Sequence, residues 1–158
     1  MMQALNRFSF FSGFCFLLIA CSGGAHENAA TKDLGTREKM YYEQYMVQGR
    51  ILYKQHCANC HKEEGSGLGR LIPPLAGADY MLNDIPRTAC IIKYGMEGEI
   101  VVNGVDYNQA MPANNQLTDI EIAQITTYVS NSWNNASGYY SVKDVSAFLD
   151  SCDFSLNK

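Results

Sequence analysis

The five residues Cys57-Ala58-Asn59-Cys60-His61 restrict this chain more than any other feature. Two thiols stand two residues apart and an imidazole follows directly. Three chemistries use such a spacing. A dithiol–disulfide couple uses the cysteines alone and belongs in a βαβ setting. A structural zinc site needs a second ligand pair elsewhere. Covalent haem attachment uses all three side chains. Each sulfur adds across one vinyl group, the two-residue gap reaches neighbouring vinyls at one ring edge, and the histidine is placed beneath the iron.

The surroundings select the third chemistry. They read as helix and loop, not as βαβ, and Cys90 and Cys152 are too far apart in sequence to supply the missing zinc pair. One covalent haem c on Cys57 and Cys60, with His61 as an iron ligand, is therefore expected. The chain has six cysteines. Cys15 and Cys21 belong to the N-terminal segment. Cys90 and Cys152 remain, and in an oxidising, exported setting they are expected to form a disulfide that holds down the C-terminal end.

That setting is read from the first residues. Phe8 to Ile19 is almost wholly apolar, and Arg7 is the only charge before Cys21. The stretch is short for a membrane span and suits a signal sequence. Leu18-Ile19-Ala20-Cys21 resembles the lipobox of bacterial lipoproteins, in which cleavage precedes a cysteine that becomes diacylated. The organisation expected is a signal peptide over 1–20, a lipid-anchored tether over 21–38, a folded domain over 39–136 and an extension over 137–158 packed on it. A tether of that length reaches about 60 Å at most. The product is expected to be exported, held to a bacterial membrane through Cys21 on the periplasmic side, and monomeric.

The formal net charge is -4, and removing Arg7 makes it more negative still. A nucleic-acid partner would call for a basic footprint and is excluded as an expectation. An acidic surface suits partners with basic or neutral docking faces.

Along the chain, 39–57 reads as a first helix whose apolar stripe is Val47, Ile51 and the Leu52/Tyr53 pair. Gly49 interrupts it at a cost of about 1 kcal/mol, which close packing would offset. Residues 62–78 are loop, with Gly65, Gly67, Gly69 and Pro73-Pro74. Residues 79–94 read as helical, at least from Pro86, and stop at Gly95. Glu99 to Tyr107 is β-branched around Asn103-Gly104 and predicts a small hairpin. Thr118 to Glu121 is a capping box flanked by Leu117 and Ile122. It opens a helix with Ile122, Ile125, Val129 and Trp133 on one face. Ser141 to Asp144 opens a short final helix.

A second axial ligand has to come from elsewhere in the chain. His26 falls in the tether and His56 points away from Cys57. Of Met46, Met81, Met96 and Met111, the best placed is Met111. It precedes Pro112 in a polar loop just before the capped helix, and proline stiffens that backbone. Met96, in a Gly-rich turn, is the alternative.

Taken together, Cys57 to His61, Pro73-Pro74-Leu75-Ala76-Gly77, Met111-Pro112 and the capped helix resemble a class I c-type cytochrome over about residues 40 to 135. The resemblance implies an all-α fold: three main helices around one haem, with a β-hairpin near 99–107 and a short C-terminal helix. It implies that Gly49 and Tyr53 meet Ile125 and Tyr128 where the first and last helices cross. It implies that the Pro73 carbonyl accepts the His61 ring N–H, with Leu75 beside the cofactor. More narrowly, residues 98–135 are similar to small cytochrome modules associated with copper nitrite reductases and terminal oxidases, which makes such an enzyme a candidate acceptor. The function implied is single-electron transfer with His61/Met111 ligation and no catalysis. The alternative is a haem enzyme or ligand sensor with a labile sixth ligand.

Overall fold

The computed structural model describes residue 26 and residues 28–152. The segment expected to be cleaved, Cys15 and Cys21 lie outside the described residues. Among the described residues six helices and one hairpin follow in order: α1 Thr36–His56, α2 Ala58–His61, α3 Asp79–Leu82, α4 Ile85–Tyr94, strands β1 Ile100–Val102 and β2 Val105–Tyr107, α5 Asp119–Val129, and α6 Val142–Asp150. Helices α1, α4 and α5 are the three main ones, and α2 and α3 are single turns. Among the described residues no helix is long and apolar enough to cross a membrane.

Helix α1 begins three residues earlier than the sequence suggests. Its buried face includes the expected Tyr53 but otherwise differs. Tyr42, Tyr45, Met46, Gly49 and Tyr53 are buried, whereas Val47 and Ile51 are 50% and 53% exposed. Tyrosine made this face hard to recognise, because its ring is apolar and only its hydroxyl needs a partner. Tyr42 Oη donates to the His26 carbonyl at 2.7 Å and Tyr53 Oη to the Lys62 carbonyl at 2.5 Å.

Gly49 sits where α1 crosses α5. A Cβ there would stand 2.1 Å from the Gln124 carbonyl oxygen and 2.6 Å from the Tyr128 Cβ, so only glycine permits this approach. Ile122, Ile125 and Val129 of α5 are buried in the same core. The Thr118 N–H donates to Glu121 Oε2 at 2.8 Å, closing the start of α5 as a capping box does.

The expected helical face ending in Trp133 is corrected. Helix α5 stops at Val129, and Trp133 lies beyond it in the left-handed region at φ 54°. Its ring packs on Gly65 and against Tyr53 at 5.1 Å and Tyr128 at 5.6 Å. Its Nε1–H donates to the Glu63 carbonyl at 3.0 Å.

The helix expected over 79–94 is two pieces. The Asp84 carboxylate accepts the Arg87 N–H at 2.9 Å, which caps α4 and lets Pro86 sit in its first turn. The hairpin turns at Asn103-Gly104, both with positive φ (51° and 77°), the conformation that Asn-Gly favours.

Both ends of the domain differ from a simple tether and tail. Residues 28–34 were expected to be free tether. Instead Thr31 is buried, Leu34 packs on the core, and Asn28 Nδ2 donates to Asn131 Oδ1 at 2.8 Å. The same Asn131 oxygen accepts the Ser137 and Gly138 N–H groups, so one side chain just past α5 ties residue 28 to residues 137 and 138. Helix α6 then folds back, burying Val145 and Leu149 against α4 and α5. Cys90 of α4 is disulfide-bonded to Cys152, just past α6.

Candidate functional site

Helix α1 delivers the motif. It ends at His56, Cys57 departs from helical geometry, and the single turn α2 carries Ala58 to His61. The Cys57 carbonyl accepts both the Cys60 and His61 N–H groups, at 3.1 and 3.0 Å. Cys57 is half-buried, Cys60 is exposed and His61 is buried. The thiols therefore border an opening and the imidazole lies inside it.

The loop after α2 fixes the ring. Pro73 O lies 3.1 Å from His61 Nδ1, and a carbonyl can only accept, so Nδ1 carries the proton. Nε2 is left with its lone pair free. Burial pushes the imidazole pKa below its ordinary value, outweighing the opposing effect of the Pro73 bond. The ring is therefore neutral and able to coordinate a metal. The carbonyl reaches this point because Gly67 lets the loop fold tightly. A Cβ there would meet Ile72 O at 2.3 Å and Pro73 O at 2.6 Å. Gly67 had been read only as a loop residue. The close approach depends on a loop closure that local sequence does not display.

The same cavity has a second wall. Met96 and Met111 pair in an isolated antiparallel bridge, each N–H donating to the other's carbonyl at 2.9 Å. Gly95 makes room, since a Cβ on it would stand 2.6 Å from the Met111 oxygen. The Tyr80 hydroxyl contacts Met96 Sδ at 3.8 Å. Met46, the first of the four methionines considered, is buried at the α1 core, away from this wall. Met81 lines the cavity and is 4% exposed.

Between the walls is a partly open cavity of about 140 Å³. Cys57, Cys60, His61, Pro73, Leu75 and Met111, the expected site residues, all line it. His56, expected to point elsewhere, also reaches its rim. Helices α4 and α5 supply the apolar lining through Ile92, Ile125 and Val129. An apolar slot with two thiols at its edge, a neutral imidazole on one side and a thioether on the other fits a covalent haem.

The rival chemistries fit less well. Burial pushes the Cys57 thiol up to about 12, with Cys60 adding to the effect. Thiol–disulfide catalysts need a lowered value. Among the described residues no group of three or more His, Cys, Asp or Glu side chains could hold a metal ion.

The cytochrome c family model matches residues 46–133. Two cytochromes c-552 of Thermus thermophilus are each 36% identical over 94 residues. That is 57% of this chain and 71% and 63% of their own lengths. The cytochrome c subunit of the quinone alcohol dehydrogenase of Gluconobacter oxydans is 35% identical over 101 residues, 61% of this chain but only 21% of that subunit.

The chain belongs to the cytochrome c family. It carries a single covalently attached c-type haem and serves haem-based electron transfer. These relatives lend no support to a nitrite reductase or a terminal oxidase as acceptor.

Proposed function

We propose that the protein is a one-electron carrier with thioether attachment at Cys57 and Cys60 and axial ligation by His61 and Met111. It is tethered through a lipid on Cys21 at the periplasmic side of a bacterial membrane. The observation that carries the ligation is the His61 ring, fixed by Pro73 at 3.1 Å and facing a cavity whose other wall holds Met111. When bound, the haem supplies a metal centre that gains or loses one electron.

The chain's own residues do the rest. Pro73 holds the imidazole orientation and strengthens it as a donor. The Met96–Met111 bridge holds the opposite wall, and a thioether ligand raises the potential. Ile92, Ile125 and Val129 keep water from the interior, while Cys60 lies at the exposed edge where a partner can approach. Two axial protein ligands leave no open position, so the reading is a carrier and not a catalyst.

Partners are redox proteins. Relatives named as cytochrome c subunits of a quinone alcohol dehydrogenase support a redox enzyme as partner. The negative net charge suits a basic or neutral docking face.

A redox titration of the purified holoprotein tests the reading. A reversible one-electron transition, with a reduced form that binds no carbon monoxide, is expected. Rapid carbon monoxide binding would favour a ligand sensor.

A further inference from the structure

The wall that carries Met111 offers two sulfurs, and an axial pair with His61 needs only one. Met96 and Met111 are joined by a backbone bond of 2.9 Å in each direction, and both line the cavity. Side chains of a directly opposed antiparallel pair leave the backbone on the same side. Methionine is unbranched and pivots about three bonds, so its sulfur can search the space around it. The bridge itself prefers neither thioether.

The surroundings distinguish them. The Tyr80 hydroxyl lies 3.8 Å from Met96 Sδ and donates to it, a weak but real use of a thioether as acceptor. Among the described residues Met111 Sδ takes part in no hydrogen bond. Tyr80 is itself held in place. Its N–H donates to Asp79 Oδ1 at 2.7 Å, and the same oxygen accepts the Asn103 N–H of the hairpin turn at 2.7 Å. Its carbonyl accepts from Arg87 Nη2 at 2.5 Å. The Arg87 guanidinium also lies over the Tyr80 ring, 3.9 Å from its centroid, an attractive placement for a cation on an aromatic face. Arg87 Nη1 is 3.5 Å from Asp84, the residue that caps α4. The hairpin turn and the start of α4 thus fix Tyr80 from two sides, and its hydroxyl is delivered to one place beside the cavity.

We propose that Tyr80 selects between the two thioethers: its hydroxyl occupies Met96 Sδ and leaves the axial position to Met111. This rests on the His61/Met111 ligation proposed above. Tyr80 is a positioning residue, acting through Met96 and not on the metal.

The test uses holoprotein variants and two spectroscopic readouts. Proton NMR of the reduced protein counts the ring-current-shifted methyl groups of ligated methionine. The long-wavelength charge-transfer band of the oxidised protein reports sulfur on iron. Tyr80→Phe keeps the ring and removes only the oxygen. One methyl signal is expected in the wild type, two in Tyr80→Phe, and one again in Tyr80→Phe/Met96→Leu. The band is expected to be lost in Met111→Ala and to return in Tyr80→Phe/Met111→Ala, where Met96 is released. A single methyl signal in Tyr80→Phe, or a Tyr80→Phe/Met111→Ala protein that keeps its haem and shows no band, overturns the selection by Tyr80 and leaves the ligation by Met111 standing. A band already present in Met111→Ala, with Tyr80 intact, overturns both. The Tyr80→Phe spectrum decides alone if the double variant does not hold its haem.

Discussion

Met96 and Met111 are paired across a two-bond backbone bridge, and both side chains enter the same cavity. Directly opposed residues in an antiparallel pair present their side chains to one side, so the sequence places two thioethers at a single wall. The Tyr80 hydroxyl engages the Met96 sulfur at 3.8 Å, giving that thioether a partner of its own. Met96→Leu is therefore expected to keep the spectrum of a methionine-ligated haem and to move the potential little. Absorption spectra and voltammetry of that variant check this.

Gly49→Ala should separate the two main helices. The new Cβ would meet backbone at 2.1 Å, which no side-chain rotation relieves. A loss of about 3 kcal/mol is expected, the upper range for overpacking. Denaturant unfolding of the holoprotein measures it, and a change below about 0.5 kcal/mol would mean the helices part easily.

The Cys90–Cys152 bond ties α6 to α4 across a sequence separation of 62. In the chain-entropy model such a loop contributes about 4 kcal/mol. Cys152→Ser should lower the thermal midpoint clearly while leaving the potential almost unchanged. Neither cysteine lines the cavity. Alkylation of the native holoprotein without reductant should label neither residue.

The capping box at the start of α5 carries a small pH dependence. Backbone and hydroxyl hydrogen bonds from Thr118 hold the Glu121 carboxyl below its ordinary pKa. A lowered carboxyl pKa means stability that is present above the unfolded value, about 4.3. That stability is lost as pH falls through the folded value. The group is exposed, so screening keeps the effect under about 1 kcal/mol. Glu121→Gln should be slightly less stable than wild type at neutral pH, and the difference should vanish in acid unfolding curves.

The motif, the hairpin turn and the capped starts of α5 and α6 were readable because each depends on neighbours in sequence. Asn103-Gly104 needs only its own two dihedrals, and Thr118 and Glu121 bond within one turn. The α1 core face was misread because tyrosines bury their rings and satisfy their hydroxyls on distant carbonyls, as Tyr53 does on Lys62. Val47 and Ile51 carried the apolar signal but face outward. The docking of residues 28–34 depends on Asn28 meeting Asn131, 103 positions away, and no local pattern encodes that. Gly67 was visible as a loop glycine and Gly95 as a helix stop. Their purpose, admitting Pro73 and Met111 to the cavity wall, appears only once the loops close.

The central claim is that Met111, which lines the same cavity as His61, completes the axial pair, and the long-wavelength absorption of the oxidised holoprotein tests it most directly. The sulfur-to-iron charge-transfer band is expected in the wild type and in Met96→Leu. It should be absent from Met111→Ala, which keeps its haem but has a lower potential. A band that survives in Met111→Ala and disappears in Met96→Leu would contradict this account and assign the ligand to Met96.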